Sequence, residues 1–426
     1  MKFSFLIPSK NRLELLAQAV DSILRQGYED FEIVITDNAS EQDYAGYIKS
    51  IGDDRIIYSR SSTSVSVTQN WNNALNLASG DYILMLGDDD ALTPGFIHQA
   101  LRLIEDIRFP DILFFAAYHY CYPGVILTSP KGYLADVRNS EFFEGQDAPF
   151  RLLPEQAHRA AKAVFDMRYL FGFNSQHFMF RAGFLKDIAS SSIGSIFQSP
   201  YPDTFAAAVS FLKAKAIVVV PYPLVMIGIS PKSFGYYYFN NLRTEGSDFL
   251  NNELVSPDIR KSLSNAVLPG NSNNTNWLIA AEAARQALAP DFELPINIVR
   301  YRTLQIVAFL RDIFVTKVRK LDELDQLASK LSQTESIFLT LLLSTIDSIN
   351  TSPKHIINMF DAWDKTLEQF CSAKISMLDI GQHKSIIDAF NWLAKHPAPI
   401  KPPRMFSIYN LRRIVTAIGR RIGMHR

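Results

Sequence analysis

The sequence predicts an α/β protein: an open, mostly parallel, Rossmann-like sheet with helices on both faces, followed by a mainly helical region. Three observations carry this expectation. Short β-rich runs alternate with helical patterns through the first 240 residues. Polar clusters follow three of those runs, where open parallel sheets bind ligands beyond their carboxyl ends. Glycine usage then changes, with 14 of the 19 glycines before residue 240 and 5 after it.

Taken in order, Phe3 to Ile7 reads as a first strand. Arg12 to Gln26 follows as a helix with Leu15, Leu16, Ala19, Val20 and Ile23 at helical spacing. Phe31 to Thr36 is a second strand, then a helix near Gln42 to Ile51. Arg55 to Tyr58 is a third, then a helix from Thr68 to Ala78. Tyr82 to Leu86 is a fourth, and Thr93-Pro94 supplies an N-cap and first-turn proline for a helix over 94–108. Asp111 to Ala116 gives one more strand.

The fourth strand runs straight into Asp88, Asp89 and Asp90. Adjacent carboxylates repel one another and raise each other's pKa, which disfavours the compact state. With Thr93 free to cap the next helix, the trio is not needed there. An all-oxygen cluster suits a hard divalent cation, Mg²⁺ or Mn²⁺. The other two polar clusters are Pro8 to Arg12 and Asp37 to Ser40, each an ordinary turn alone but an outline of a site together.

No G-x-G-x-x-G follows a strand and no G-x-x-x-x-G-K-[ST] occurs, so the glycine-fingerprint nucleotide folds are excluded. Charges balance at 43 basic and 43 acidic, so no global field draws the chain to nucleic acid. Two cysteines, Cys121 and Cys371, cannot build a disulfide framework, which fits a reducing cytoplasm. The N-terminal apolar run reads as a strand rather than a signal peptide. Ala214 to Ile229 and Ile337 to Ile346 are interrupted by prolines or too short to span a membrane.

Phe5-Leu6-Ile7-Pro8-Ser9-Lys10-Asn11-Arg12, Ile33 to Ser40, Gln69 to Leu75 with Ala78 to Ile83, and Leu86 to Asp90 together resemble family-two glycosyltransferases of the A-type (GT-A) fold. These are inverting transferases of nucleotide-diphosphate sugars, and the resemblance covers roughly residues 1–235. It implies that Pro8, Ser9, Asn11, Arg12, Asp37, Asn70, Asn72, Asp88 and Asp89 bind the nucleotide sugar, most simply a UDP-sugar. It implies that the metal is held by Asp89 and Asp90, with Asp88 the further candidate. Gly87 stands where some relatives carry an acid.

Inversion needs a general base opposite the departing diphosphate. The resemblance points to Asp203, 113 positions after Asp90 in Ser199-Pro200-Tyr201-Pro202-Asp203, where an N-cap aspartate is the alternative. His177 is the second candidate base. Asn174, Gln176 and His177 are the implied acceptor contacts, and Trp71 reads as core packing. The acceptor class is a glycan or a lipid-linked sugar of bacterial surface polysaccharide. Competing classes are a binding protein that holds nucleotide sugar without transfer, and a sugar nucleotidyltransferase. The latter opens with a glycine-rich loop that Pro8 to Arg12 lacks.

The expected organisation is a catalytic domain over 1–239, a helical domain over 240–404 and a basic amphipathic helix over 405–426. Leu321, Leu324, Leu327, Leu331, Ile337 and Leu341 recur at helical spacing and suit an ordinary bundle or a homo-oligomer interface. The last 26 residues carry seven Lys or Arg and no acid. Such a helix suits the anionic surface of a membrane, making the protein cytoplasmic or peripheral on the membrane's inner face, or else it packs on its own domain.

Overall fold

The computed structural model of this chain describes residues 1–126, 129–138, 140–143, 145–168, 171–231, 233–239, 255–316, 321–348 and 374–397. Its core begins with four parallel strands in the order β3–β2–β1–β4: β1 (Phe3–Ser9), β2 (Phe31–Asp37), β3 (Ile56–Arg60) and β4 (Tyr82–Met85). β1 and β2 are buried along their whole length, as near-continuous apolar runs covered on both faces must be. Helices α1 (Leu13–Leu24), α2 (Tyr44–Ile51) and α3 (Val67–Leu77) connect them. The register sets Ser9 beside Asp37 and Asp37 beside Arg60, so the expected polar clusters do share one sheet edge.

Beyond β4 the sheet stops being parallel. β9 (Phe178–Arg181) runs antiparallel between β4 and β6 (Ile112–Cys121). β7 (Tyr133–Arg138) and β11 (Lys374–Leu378) continue that edge, again antiparallel. Parallel pairing reappears between β6 and β10 (Ile217–Ile229), whose register shifts around Pro221 and Pro223, and the short β8 (Phe150–Arg151) pairs antiparallel with β10. Prolines cannot donate to the ladder and are accommodated at such irregularities. Periodicity reports which residues are buried but not strand direction, so the mixed half was not visible as such.

Two apolar clusters sandwich the sheet. One joins Phe3, Phe5 and Ile7 to α1 and α4 (Phe96–Asp106). The other joins Leu6, Val34, Phe114 and Phe178 to α5 (Pro154–Phe165), α6 (Ala182–Ala189) and α7 (Pro202–Lys213). Trp71 packs edge-to-face on Phe197 at 5.2 Å, as core packing requires. The expected Thr93 cap is not made. The N-cap of α4 is the left-handed Gly95, and Thr93 Oγ1 donates to the Leu224 carbonyl at 2.8 Å across β5 (Ala91–Leu92).

A carboxylate is buried within this apolar frame. Glu32 accepts from Ser4 Oγ at 2.6 Å and from Ser79 N and Oγ at 2.6 and 2.7 Å, with Lys2 Nζ at 2.5 Å. Burial alone raises its pKa, but these partners overcome that and lower it from 4.5 to about 2. A pKa depressed on folding contributes stability that is complete above about 4.5 and fades as pH falls toward 2. We expect Glu32→Gln to cost about 2–3 kcal/mol in urea unfolding at pH 7, and the difference from the native chain to shrink below pH 4. An unchanged midpoint at pH 7 contradicts this.

The described residues of the second part hold helices and one strand. α8 (Phe234–Phe239) precedes it, and its described helices are α9 (Pro257–Ser262), α10 (Ser272–Leu288), α11 (Ile298–Thr316), α12 (Leu321–Ser329) and α13 (Gln333–Ser348). Yet α10 packs on α5 and α7, its Ala281, Ala284 and Leu288 merging into the core of the first part. The chain then returns to the sheet as β11, and α14 (Ile386–Lys395) lies against α1 and β5. The alternation Lys374-Ile375-Ser376-Met377 has the period of a strand. Among the described residues no helix is long and apolar enough to cross a membrane. Residues 398–426, which include the basic amphipathic stretch, and Cys371 lie outside the described residues.

Candidate active site at the carboxyl edge of the sheet

The three carboxylates of the acidic turn after β4 are buried, and each has a different neighbour. Asp90 Oδ2 accepts from Gly87 N at 2.7 Å and Oδ1 from Gly228 N at 2.8 Å, so both oxygens close the turn and fasten it to β10. Asp89 Oδ2 accepts from Ser230 Oγ at 2.7 Å. Asp88 Oδ2 accepts from Ser9 Oγ at 2.5 Å, and its Oδ1 lies 3.0 Å from Arg12 Nη2. Burial, opposed by Arg12, still lifts the Asp88 carboxyl to about 6. Burial and the neighbouring Asp89 push Asp90 well above the carboxylate range.

These contacts set how the three carboxylates differ as possible metal ligands. Each Asp90 oxygen accepts one backbone N–H, which anchors that carboxylate within the turn. Among the described residues no group of three or more His, Cys, Asp or Glu is disposed around one ion. Asp88 Oδ1 and Asp89 Oδ1 remain, both facing the Arg12 guanidinium at 3.0 and 4.0 Å. Two carboxylate oxygens fit a hard divalent ion that completes its shell from diphosphate and water.

The remaining nucleotide-side candidates sort into contact and support. Pro8 and Ser9 end β1 inside the protein, and Ser9 also meets Tyr44 Oη at 2.7 Å. Asn11, with φ of 54°, bridges loops: its N–H donates to Ser40 Oγ and its Oδ1 accepts from Glu41 N. Asp37 is fully engaged, accepting from Ser40 N at 2.8 Å and Tyr58 Oη at 2.9 Å, with Arg60 Nε at 3.2 Å. Asn70 Nδ2 donates to the Thr36 carbonyl, while its buried Oδ1 has no hydrogen bond. Asn72 is spent on packing: it accepts from Ser195 Oγ at 2.6 Å and donates to the Phe197 carbonyl at 3.1 Å.

A 3₁₀ turn (Ser175–His177) packs against β4, β6 and the start of α7. Asp203 sits in the first turn of α7, after the N-cap Tyr201, and does not cap its own helix. Its Oδ1 accepts from Ser175 N at 2.6 Å. Protein encloses it on most sides while leaving it an opening, and burial raises its pKa from 3.8 to about 6 against the Ser175 hydrogen bonding. His177 donates from Nδ1 to the Phe115 carbonyl at 2.7 Å, and its buried Nε2 has no hydrogen bond. Burial lowers its pKa to about 4, so it is neutral and weakly basic at pH 7. Gln176 Oε1 is likewise buried without a hydrogen bond, and Asn174 is exposed at the turn's start.

Several participants gave no local signal. Ser230, Tyr44, Tyr58 and Arg60 reach the site only through the fold. Gly228 had one: a glycine amid Val225-Met226-Ile227 suggests a close backbone approach.

Comparison with known proteins now bears on this edge. Residues 4–154 match the model of Glycosyl transferase family 2. The chain is 36% identical over 104 residues to the Campylobacter jejuni GalNAc(5)-diNAcBac-PP-undecaprenol beta-1,3-glucosyltransferase, covering 24% of this chain and 34% of that one. It is 34% identical over 93 residues to the putative colanic acid biosynthesis glycosyl transferase WcaA of Escherichia coli, covering 21% and 33%. It is 38% identical over 97 residues to the Salmonella typhimurium abequosyltransferase RfbV, covering 22% and 29%. The chain thus spans about a third of the length of the curated relatives it matches. Among solved structures, Staphylococcus aureus TarS 1–349 superposes with a TM-score of 0.43 at 15% identity, over 78% of this chain and 90% of that one. Asp203 and Ser230 lie beyond the matched stretch, but the β1 loop, the Asp37 loop and the acidic turn all lie inside it. The stretch that carries the β1 loop, the Asp37 loop and the acidic turn is thus the part of this chain that is similar to Glycosyl transferase family 2.

Proposed function

We propose that the chain transfers a sugar, with inversion, from a nucleotide-diphosphate sugar to an acceptor hydroxyl. The observation that carries this reading is Asp203, a carboxylate with a pKa near 6 that caps nothing and is aimed by a neighbouring backbone N–H. A base works best when its pKa lies near the working pH, because it must be ionised and still hold a proton well. His177, near 4, is the weaker base. Asp203 takes the acceptor proton; the neutral His177 Nε2 and Gln176 Oε1 accept hydrogen bonds from sugar hydroxyls, which their buried, unbonded state favours.

On the donor side, Ser9 and Arg12 hold the acidic turn, while Asp37 fixes Tyr58 and Arg60 at the nucleoside end. A Mn²⁺ or Mg²⁺ ion held by Asp88 and Asp89 would stabilise the charge gathering on the departing diphosphate as a Lewis acid. The donor base and sugar, a UDP-sugar being the simplest case, and a glycan or lipid-linked acceptor of a bacterial surface polysaccharide belong to this proposal. So do membrane contact through 405–426, the 240–404 segment as an accessory or oligomerisation region, and a cytoplasmic location. The test is Asp203→Asn: nucleoside diphosphate release from the donor should collapse while donor binding by calorimetry persists. Undiminished release rejects Asp203 as the base.

A further inference from the structure

Arg12 enters α1 with its guanidinium laid on the acidic turn. Nη2 lies 3.0 Å from Asp88 Oδ1 and Nη1 4.0 Å from Asp89 Oδ1. Those are the two oxygens left after Ser9, Ser230, Gly87 and Gly228 have made their hydrogen bonds. The Arg12 side chain is 12% exposed, so this pairing is desolvated and unlike a surface ion pair. Its backbone is pinned too: Arg12 N donates to Tyr44 Oη at 2.9 Å, and Tyr44 meets Ser9, which donates to Asp88. A divalent ion taking the same two oxygens would meet that guanidinium as a like charge at contact distance.

We propose that Arg12 is a built-in counter-ion: it occupies the Asp88–Asp89 seat when no donor is bound and vacates that seat for the metal. The proposal rests on the reading of those two aspartates as the ion's ligands. The released guanidinium finds a new anionic partner in the donor diphosphate, which its planar donor fork suits. Ion and nucleotide therefore bind as a unit, each tightening the other by the same factor. Metal alone binds weakly because it must displace an internal cation.

The experiment titrates the full chain with Mn²⁺ alone and follows the electron paramagnetic resonance signal of the free ion. Arg12→Gln should bind Mn²⁺ about tenfold more tightly than the native chain, within the usual range of coupling between competing ligands. Adding UDP should tighten Mn²⁺ for the native chain and tighten it less for the variant. Equal or weaker Mn²⁺ binding by Arg12→Gln overturns the proposal. Binding by neither protein, with or without UDP, overturns it together with the metal reading, while sugar transfer through Asp203 still stands on its own test. Arg12→Gln leaves Asp88 buried without its cation, so Arg12→Lys guards against misfolding. A single ammonium cannot span both carboxylates, and a gain of about threefold is expected. No gain there overturns the proposal as well.

Discussion

Asparagine at position 203 is expected to lower kcat by about 10²–10⁴-fold, the range for a lost general base, with donor affinity little changed. The amide keeps the volume and can still accept from Ser175 N, so the 2.6 Å contact survives and the loss is chemical. A pH profile separates this from damage to the fold. In the native chain, activity should fall as pH drops through about 6, where Asp203 takes up a proton. Stability should move the opposite way. The folded pKa lies above the usual 3.8, so the folded state binds more protons between about 4 and 6, and stability declines as pH rises through that window. Asp203→Asn removes a buried charge and should melt no lower than the native chain at pH 7.5. A dead variant that also melts well below the native chain would identify Asp203 as structural.

The second large effect belongs to Gly228→Ala. A Cβ there would lie 1.9 Å from the Asp89 carbonyl oxygen and 2.8 Å from its carbon, both backbone atoms that cannot rotate away. Either β10 withdraws from the acidic turn or the turn deforms. Both outcomes break the Gly228 N–Asp90 bond of 2.8 Å and displace Ser230 from Asp89. Overpacking of this kind costs about 3 kcal/mol and sometimes more. We expect a melting point lower by several degrees and transfer reduced at least tenfold even where the protein remains folded, since about 1 Å of misplacement at a site is that costly. Native melting and turnover would show that β10 does not brace the turn.

How much of this was readable beforehand depends on how locally each feature is encoded. The strands β1 to β4 and the helices between them were legible because their patterns lie within single segments. So were the polar clusters Pro8 to Arg12, Asp37 to Ser40 and Asp88 to Asp90. The run Asp88-Asp89-Asp90 announced itself, but its division of labour did not. Asp90 is claimed by Gly228, a residue 138 positions away, and no local pattern records that contact. Asp203 presented as a helix cap or a base, and only the position of Ser175 N decides that it leaves its own helix end unserved. Glu32 passed unnoticed because one acid in an apolar strand looks like a solvent-facing position, whereas three segments converge to bury it. β11 was missed because its five residues sit after helical sequence and find their partner β7 across the chain.

The most direct measurement incubates the full chain with Mn²⁺ and a panel of nucleotide-diphosphate sugars, and follows nucleoside diphosphate release together with the anomeric proton of the sugar product. The expected result is release from one donor class, a product of inverted anomeric configuration, and loss of both in Asp203→Asn. Tight donor binding without turnover, or release of pyrophosphate from a nucleoside triphosphate and sugar phosphate instead, would contradict sugar transfer at this edge.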